Sequence, residues 1–479
     1  MSHYPISRRR FLETAGLTAT ATLVGAPLLH QGQSSAASTY TRRDIGTLSA
    51  TSSTVVSYKK AISAMKALPD SNPLSWTYQA AIHGTTIAGS QPAWNTCEHG
   101  TYFFFSWHRM YLWYFERIVR KLSGDSNWAL PYWNYSRVRE RRLPTVFRSP
   151  ANASNPLYVA TRGSGWNSGT ASLNASAVDT AIAFADVPFN DFSSSLEGTP
   201  HGAVHVSIGG WMGSVPTAAQ DPIFWLHHSN IDRLWNVWLA QGGGRTDPLS
   251  DSAWTTTKFT FFDENGNQVQ LTGCEIIRAQ EQLNYVYQVE PTQVKLSCQK
   301  GISSRLRRRK EVLLRRSQES AVILPPGANS VSVDVDVHPI REQLTRTISE
   351  QENNLTLDLT DIEADRQPEV YYEVYVGLPK RATPQFNSPF YVGNVALFGQ
   401  GIRSEHQHGE FRRANFSFKI KQAVSTFLKG NGSEGQLNVL FVPRGALSDT
   451  SSQENQAISA RSSATIRVGG IAISSDRQQ

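Results

Sequence analysis

The stretch CEHGTYFFFSWHRMYLWYFERI, residues 97–118, decides the fold of the first half of the chain. Residues with the i, i+4, i+7 spacing lie on one side of a helix. Five residues follow this spacing here: His108, Leu112, Phe115, Val119 and Leu122. We therefore predict a buried helix here. His99 lies nine residues before His108, and nine steps of about 100° put the two side chains on opposite sides of a helix. We predict that His99 lies on a loop that precedes the helix and folds back toward it.

A second group of histidines lies further along the chain. His201 and His205 in GTPHGAVHVSI are four residues apart, so on a helix they share one face and can bind one ion together. Another helix is predicted at DPIFWLHHSNIDRLWNVWL, residues 221–239, beginning at Asp221 and Pro222. A single buried histidine is usually a hydrogen-bonded core residue. Several histidines in apolar surroundings each need a partner, which favours a metal site.

The type of ligand narrows the choice of metal. No carboxylate lies at ligand spacing inside these clusters, and six histidines can be grouped as three plus three. Calcium and magnesium prefer oxygen ligands, and non-haem iron oxygenases usually add a carboxylate. Structural zinc closes with four ligands, usually including cysteine. All-imidazole ligation with an open position is typical of copper or catalytic zinc, and two facing sites favour copper that works with dioxygen.

Composition and charge bound the other possibilities. The chain has 479 residues, 39% of them hydrophobic, which is enough for two or three folded units. Its net charge of +7 comes largely from the extreme N-terminus and residues 305–316, so we expect no nucleic-acid partner. The N-terminal SRRRFLETAGLTATATLVGAPLLHQGQSSAAST resembles a twin-arginine export signal with cleavage near Ala37. No other segment approaches the ~20 apolar residues of a membrane span, so we expect a periplasmic or extracellular protein without stable membrane insertion.

The pattern along the chain predicts four segments. These are an export signal (1–37), a mainly α-helical metal-binding domain (38–300), a basic linker (301–330) and a C-terminal domain (331–479). Within the second segment, residues 149–195 are rich in Ser, Asn, Gly and Ala and are predicted to form surface loops. The last segment alternates with period two, as in SVSVDVDV and VYYEVYV, which predicts an antiparallel β-sandwich. Whether Cys274 and Cys298 pair is left open.

Two long motifs carry a family resemblance. HGTYFFFSWHRMYLWYFE (99–116) and DPIFWLHHSNID (221–232), with EGTPHGAVH between them, resemble the copper motifs of the tyrosinase, catechol oxidase and haemocyanin family. YKKAISAMKALPDSNPLSW, YVYQ, EVYVG, FYVGNVALFG and VLFVPR are similar to segments of plant polyphenol oxidases. The resemblance implies a four-helix bundle around two copper ions, followed by a C-terminal domain that covers the site and keeps the enzyme latent.

The same resemblance implies the ligands. Copper A would be held by His83, His99 and His108, and copper B by His201, His205 and His228. In many relatives a cysteine two residues before the second copper A histidine forms a thioether to its ring, which corresponds to Cys97 and His99 here. The alternative for Cys97 is a small buried thiol.

Six further residues near these ligands are also assigned roles. Glu197 matches a glutamate that holds a water near copper B in relatives and helps to deprotonate a phenol, with a helix-start carboxylate as the alternative. Val215 falls at the substrate entrance and would leave it open, and Gly202 replaces an asparagine of efficient monophenolases. His227 points away from His228 on a helix and is predicted to be a core or supporting residue. Asp232 and Arg233 are predicted to be structural.

The implied activity is the O2-dependent oxidation of o-diphenols to o-quinones, with possible monophenol oxygenation. The partners would be a small phenolic substrate, O2 and a protease that cuts the arginine-rich linker at 305–316, with a solvated spacer as the alternative for that linker. Two other functions stay open. A haemocyanin-like carrier would bind O2 without turnover, and a zinc hydrolase would need Glu197 as its base. The sequence leaves the oligomeric state and the natural phenol undetermined.

Overall fold

The computed structural model describes residues 39–89, 91–289, 309–316, 321–325, 330–350, 353–399, 413–430, 435–445, 447–448 and 464–477. The predicted export signal, Cys298 and part of the predicted linker lie outside these residues. The described residues belong to one compact unit. None of their helices combines the length and the apolar character that crossing a bilayer requires.

The first half of the described chain is helical, as predicted. The helices of the whole described chain are α1 (Ser53–Ala67), α2 (Trp76–His83), α3 (Phe104–Ser123), α4 (Ala181–Ala185), α5 (Phe189–Leu196), α6 (Ala203–Ile208), α7 (Val215–Ala218), α8 (Ile223–Ala240), α9 (Ser252–Thr256), α10 (Ala279–Leu283), α11 (Arg341–Ser349) and α12 (Lys421–Gly430). Helix α3 ends at Gly124, whose φ of 74° is the left-handed conformation common after a helix. Helix α8 begins after Pro222, and the Asp221 carboxylate accepts the Ile223 N–H at 3.1 Å. The two helices predicted from the histidine motifs are thereby confirmed.

Aromatic side chains pack α1, α3 and α8 around one core. Phe115 of α3 stacks on Trp225 of α8 with ring centroids 3.5 Å apart, and Tyr58 of α1 contacts the edge of Phe115. The Tyr58 hydroxyl donates to the Pro222 carbonyl at 2.9 Å. Large aromatic side chains dominate core energetics because each removes a large apolar area from water. The helical core is therefore observed, while its description as a four-helix bundle stays a prediction.

A buried charge cluster joins the two ends of the helical part. Strand β1 (Tyr40–Arg42) pairs in parallel with β5 (Tyr285–Tyr287). The hydroxyls of Tyr285 and Tyr287 both donate to the Asp232 carboxylate at 2.6 Å, and Arg109 donates to it at 2.5 Å. Arg42 donates to the same carboxylate at 3.3 Å. Asp232 of α8 thus has the structural surroundings that were predicted for it.

Two segments that were predicted to be irregular contain regular structure. Residues 149–195 include α4 and most of α5, because Phe189, Phe192 and Leu196 form a buried stripe among serines that had suggested a loop. The predicted linker includes β6 (Arg309–Arg315), which pairs antiparallel with β15 (Ile466–Arg477). A sheet edge tolerates charged side chains, since only backbone groups pair. The basic composition therefore did not prevent a strand.

The C-terminal part is an antiparallel β-domain, as predicted. Its strands are β6, β7 (Val322–Leu324), β8 (Val331–Asp336), β9 (Asn354–Ala364), β10 (Tyr371–Val376), β11 (Tyr391–Val395), β12 (Ala414–Lys419), β13 (Gln436–Arg444) and β15 (Ile466–Arg477). One sheet has the order β11-β10-β13-β8 and the other β12-β9-β15-β6, with β7 also on β15. Residues from both sheets, such as Val374 and Leu357, share one hydrophobic core, which is consistent with the predicted sandwich.

The β-domain contacts the helical part directly. Strand β14 (Leu447–Ser448) pairs with β2 (Ala171–Ser172). The Lys419 ammonium lies 2.6 Å from the Asp186 carboxylate, and the hydroxyls of Tyr371 and Ser176 lie 2.8 Å apart. These contacts bring residues 394–399, which begin near the end of β11, onto the histidine cluster.

Candidate metal centre

The first histidine set comes from three neighbouring segments. His83 ends α2, His99 lies on the loop before α3, and His108 lies within α3. Their ring centroids are 5.3 Å (His83 to His99), 5.8 Å (His83 to His108) and 5.4 Å (His99 to His108) apart. The loop position predicted for His99 is confirmed. The structure therefore brings together the three residues predicted for copper A.

The second set faces the first. His201 lies in the turn Glu197–Gly202, His205 in α6 and His228 in α8. Their ring centroids are 4.7 Å (His201 to His205), 5.0 Å (His201 to His228) and 5.4 Å (His205 to His228) apart. His228 also stacks on His108 with centroids 4.4 Å apart. The six predicted ligands thus form one continuous cluster, in which His228 lies between the two sets.

Hydrogen bonds set the tautomers of four of these rings. Each Nδ1 donates to a backbone carbonyl: His83 to Val215 (3.0 Å), His108 to Phe104 (2.8 Å), His201 to Glu197 (3.0 Å) and His205 to Met212 (2.7 Å). Nε2 then carries the lone pair. Among the described residues, the Nε2 atoms of His83, His99, His108 and His201 have no hydrogen-bond partner. The Nε2 atoms of His205 and His228 lie 3.2 Å apart.

The unpartnered ring nitrogens of these histidines are the feature that indicates a metal site. A buried polar atom without a partner is costly, and here several aim at common points. The donor nitrogens of His83, His108 and His228 lie within 4.8 Å of one another, as do those of His201, His205, His227 and His228. An all-imidazole set suits copper or zinc. The cluster therefore fits a metal site, and because His228 belongs to both groups, its division into two copper sites stays a prediction.

Burial keeps the cluster uncharged. Removal from water lowers the pKa of His83 from its ordinary value to about 3, although the bond to the Val215 carbonyl opposes the shift. Burial likewise holds the pKa of His99, His108, His201, His205 and His228 well below the usual range. Neutral imidazole is the form that binds a metal. The site is therefore ready to accept cations at neutral pH.

His227 has different surroundings from its neighbour His228. Its Nδ1 lies 3.2 Å from the Tyr135 hydroxyl, and its ring centroid lies 4.8 Å from that of His205. Burial lowers its pKa to about 3, and a bond to the His201 backbone opposes the shift. One nitrogen of His227 has a side-chain partner, yet a nitrogen of the same ring lies within ligand distance of the second set. The supporting role of His227 therefore stays a prediction.

Cys97 lies next to the imidazole ring of His99, on the loop before α3. Its sulfur is 3.3 Å from Nδ1 of His99, and it is a free thiol. Burial, aided by the negative charges of Glu98 and Glu197, raises the pKa of this thiol. A thioether to His99 stays a prediction, for which the two side chains are close enough. Cys274 takes part in a disulfide.

Glu197 connects the two ligand-bearing loops. It is 2% exposed, and its side-chain oxygen accepts the Gly100 N–H at 2.7 Å. Its backbone carbonyl accepts the Nδ1–H of His201. Gly100 directly follows His99, so this carboxylate fixes the first set relative to the second. The role on a water near copper B stays a prediction.

The two residues predicted at the entrance have different neighbours. Val215 is half-buried and holds His83 through its carbonyl. Gly202 is buried against the β-domain, since a Cβ added to it would lie 3.3 Å from the Cβ of Ala396. An asparagine at position 202 would therefore meet the β-domain while the two parts are in contact.

Phe398 of the β-domain was not identified from the sequence. Its ring stacks on His205 at 3.8 Å between centroids and 8° between planes, and it is 1% exposed. The same ring lies 5.6 Å from His99 and 5.5 Å from His201. The only signal was its place in FYVGNVALFG, a segment that had indicated the family and not a contact with the histidines.

Comparisons with known proteins show which families the sequence resembles. The sequence matches the common central domain of tyrosinase over residues 73–165 and 160–241, and the polyphenol oxidase middle domain over 248–297. Residues 316–471 match a domain of unknown function. A tyrosinase from a Hahella species is 36% identical over 48% of this chain and 59% of the relative. A chloroplastic polyphenol oxidase from Malus domestica is 29% identical over 67% of this chain and 62% of the relative.

The matched region thus spans about three fifths of the length of these two relatives. Solved structures extend the likeness in fold to both parts of the chain. Latent apple tyrosinase superimposes with a TM-score of 0.62 at 24% identity, over 92% of this chain and 98% of that one. Latent aurone synthase gives a TM-score of 0.61 at 21% identity, over 91% and 89% of the two chains.

Proposed function

Because the chain belongs to the tyrosinase and polyphenol oxidase family, we propose that it is a copper oxidase that converts phenols or catechols to o-quinones with O2. The observation that carries the proposal is the cluster of six histidines, five of them buried and His99 half-buried, in which four Nε2 atoms have no hydrogen-bond partner among the described residues. Within the described part of the chain, no carboxylate belongs to this group of ligand atoms, which favours copper over iron. The proposal concerns the full chain, with both the helical part and the β-domain.

Six histidines would hold the metal pair. His83, His99 and His108 would bind copper A, and His201, His205 and His228 would bind copper B. The chemistry that a copper pair supplies is the two-electron oxidation of a catechol, or the ortho-oxygenation of a monophenol, with O2 as the oxidant. The protein contributes neutral ligands, a dry site and fixed ring orientations, since the Nδ1 atoms of four rings are held by backbone carbonyls.

The face of His205 would receive the substrate ring. Phe398 lies flat against that face at 3.8 Å, so a six-membered aromatic ring fits there. The same contact supports latency, because a phenol and Phe398 cannot occupy one place. Release of the β-domain would expose the face of His205. The polar contacts between the two parts, among them Lys419 with Asp186, would have to break first.

Catechols are the proposed main substrates. Glu197 is the one carboxylate proposed to act near copper B, where it would accept the phenol proton or orient a water. Its bond to the Gly100 N–H stabilises the ionised form and keeps it in place. Gly202 offers no side chain to help in deprotonating a monophenol. We therefore propose stronger diphenolase than monophenolase activity, with Val215 leaving the entrance open once the β-domain has moved.

A thioether between Cys97 and His99 is proposed as a maturation step. The bond would join Sγ to a ring carbon while the S–H and C–H bonds break, and the two protons and two electrons released would reduce O2, the oxidant of the proposed function, to hydrogen peroxide. The distance of 3.3 Å between Sγ and Nδ1 supports it. Intact mass after copper loading in air would show the loss of two hydrogen atoms, and Cys97→Ser would show no loss.

Export by the twin-arginine route is proposed from SRRRFL near the N-terminus. This route carries folded proteins, so copper would be acquired before or during export. Replacement of Arg8, Arg9 and Arg10 by Lys should retain the protein in the bacterial cytoplasm. Unchanged secretion of that variant would rule out the route.

One experiment tests the function. The full chain is loaded with copper or with zinc, and O2 uptake and quinone absorbance are followed with 4-tert-butylcatechol after limited proteolysis. We expect quinone formation with copper and none with zinc. Reversible O2 binding without turnover would instead support a carrier, and ester hydrolysis by the zinc form would support a hydrolase.

A further inference from the structure

The copper ligands of the proposed function do not all lie on regular helices. His83, His108, His205 and His228 lie on α2, α3, α6 and α8. His99 lies on the loop before α3. His201 lies in the turn Glu197–Gly202, whose backbone breaks at Thr199 with φ −144° and ψ 122°. Each copper would therefore have one ligand that its own helix does not hold in place.

Residues 394–399 of the β-domain contact both of these irregular segments. Asn394 is 5% exposed, and its side-chain amide donates to the Ser176 carbonyl at 2.9 Å and to the Thr199 hydroxyl at 3.2 Å. Its oxygen accepts the Tyr391 hydroxyl at 3.0 Å. A buried amide with three partners has little freedom to move. It fixes Thr199, two residues before His201.

The other end of the segment contacts His99. Gly399 has a φ of 74°, and a Cβ added there would lie 2.7 Å from Cγ and 2.9 Å from Nδ1 of the His99 ring. Only glycine combines this backbone conformation with so close an approach. Between the two ends, Ala396 lies against Gly202 and Phe398 against His205. The segment thus forms one wall of the histidine cluster.

We infer that residues 394–399 position His99 and His201 for copper binding, in addition to blocking the site through Phe398. The inference rests on the proposed function, because it concerns the same ligands. It assigns Asn394 and Gly399 as positioning residues: one holds the loop of His201 and the other restrains the ring of His99. The β-domain would then set how long copper is retained, and its release would loosen one ligand of each ion.

Two variants separate positioning from blocking. Asn394→Ala removes both hydrogen bonds to the helical part and leaves Phe398 in place. Phe398→Ala opens the site and leaves Asn394 in place. If residues 394–399 only block access, then Phe398→Ala should lose copper fastest. If the segment positions the ligands, then Asn394→Ala should lose copper faster than Phe398→Ala.

The measurement is the rate of copper transfer from the full-length, copper-loaded protein to bathocuproine disulfonate under ascorbate, followed by absorbance. We expect Asn394→Ala to release copper roughly tenfold faster than the parent, as two lost hydrogen bonds imply. The EPR signal of uncoupled Cu(II) should rise as one ion of a pair leaves. Gly399→Ala removes no hydrogen bond, but its added Cβ should displace the His99 ring and so also speed the release of copper.

The outcomes are distinct. Equal release from Asn394→Ala, Gly399→Ala and the parent, in protein that melts at the parent temperature, would overturn the inference and leave the oxidase function standing. Faster release from Phe398→Ala alone would also overturn it. A parent chain that binds no copper at all would overturn the proposed function and this inference together.

Discussion

At the scale of single residues, His227 and His228 provide an internal comparison. They are adjacent in α8, yet His228 stacks on His108 and faces His205 at 3.2 Å, whereas Nδ1 of His227 lies against the Tyr135 hydroxyl. We expect His228→Gln to lower the copper content from two ions to one per chain. His227→Gln should keep both ions. Copper analysis of the two purified variants checks this, and equal copper loss from both would contradict the ligand assignment.

The buried histidines also predict how the copper-free chain responds to acid. Burial lowers the pKa of His227 to about 3, while an unfolded histidine titrates near ~6.5. Between these values the unfolded chain binds a proton that the folded chain does not. The free energy of unfolding therefore falls as the pH falls, by up to ~1.4 kcal/mol per pH unit for this residue.

Denaturant unfolding of copper-free parent and His227→Gln, between about pH 6 and pH 4, measures this contribution. As the pH falls, the free energy of unfolding of the parent should decrease more steeply than that of His227→Gln, by roughly 1 kcal/mol per pH unit. Equal slopes would show that His227 is protonated in the folded chain.

The sequence indicated a metal site because several imidazoles in apolar segments are costly to bury unless each has a partner. The choice of the six ligands came from the resemblance of the two long motifs to a known family. Phe398 and Asn394 could not be predicted, since an apolar or amide residue carries no chemical signal of its own. Their roles depend on how the β-domain docks, and docking geometry is not encoded in local periodicity. The role of Gly399 could not be predicted either, because its close approach to His99 depends on the three-dimensional structure.

At the scale of elements, a buried ion pair fixes the start of α8. Arg162 donates to both oxygens of Asp221 at 2.7 Å, and both side chains are 0% exposed. Arg162 also donates to the carbonyls of Phe147 and Leu157 at 2.7 and 3.1 Å. The pair anchors the loop before α8 to the segment around residue 150. Because His228 lies on α8, the ion pair helps to fix the position of His228 without touching it.

We expect Arg162→Met to destabilise the protein by about 3–5 kcal/mol, because it leaves the Asp221 carboxylate buried and unpaired. The matched control is Arg139→Met, since Arg139 is 72% exposed and pairs with Glu140 at 3.3 Å. That change should cost less than about 1 kcal/mol. Urea unfolding of the two variants gives both values. A similar small loss in both would mean that the buried pair contributes little.

Elements were predicted where periodicity was strong. Helices α3 and α8 and the strands of SVSVDVDV and VYYEVYV form where they were predicted. The strand of SVSVDVDV alternates between exposed and buried residues, whereas the strand of VYYEVYV is buried on both faces. Helix α5 and strand β6 were missed for the opposite reason. Their composition, serine-rich or basic, is typical of loops, and tertiary contacts decide their structure.

At the scale of the whole molecule, the β-domain and the helical part pack together in one compact unit. Residues 394–399 contact His99 and His205, and Lys419 of the β-domain pairs with Asp186 of the helical part at 2.6 Å. This ion pair is partly exposed, since the Lys419 side chain is 42% exposed, so salt should weaken it. We expect Lys419→Ala to increase catechol oxidation by the uncut chain, because the β-domain is held less firmly.

Initial rates of the copper-loaded, uncut parent and of Lys419→Ala measure this effect. Lys429→Ala is the control, since Lys429 is an exposed lysine of the same domain in the last turn of α12. It should leave the rate unchanged. A rise in both variants would point to a general loss of stability of the β-domain.

Latency is tested most directly by the rate of catechol oxidation per bound copper in the full-length, copper-loaded protein, before and after replacement of Phe398 by Ala. We expect little turnover in the parent and a rate at least about tenfold higher in Phe398→Ala, with the same copper content, because a tenfold change needs only ~1.4 kcal/mol. Fast turnover by the parent, or no turnover by either protein at full copper content, would contradict a latent copper oxidase whose substrate position is occupied by Phe398.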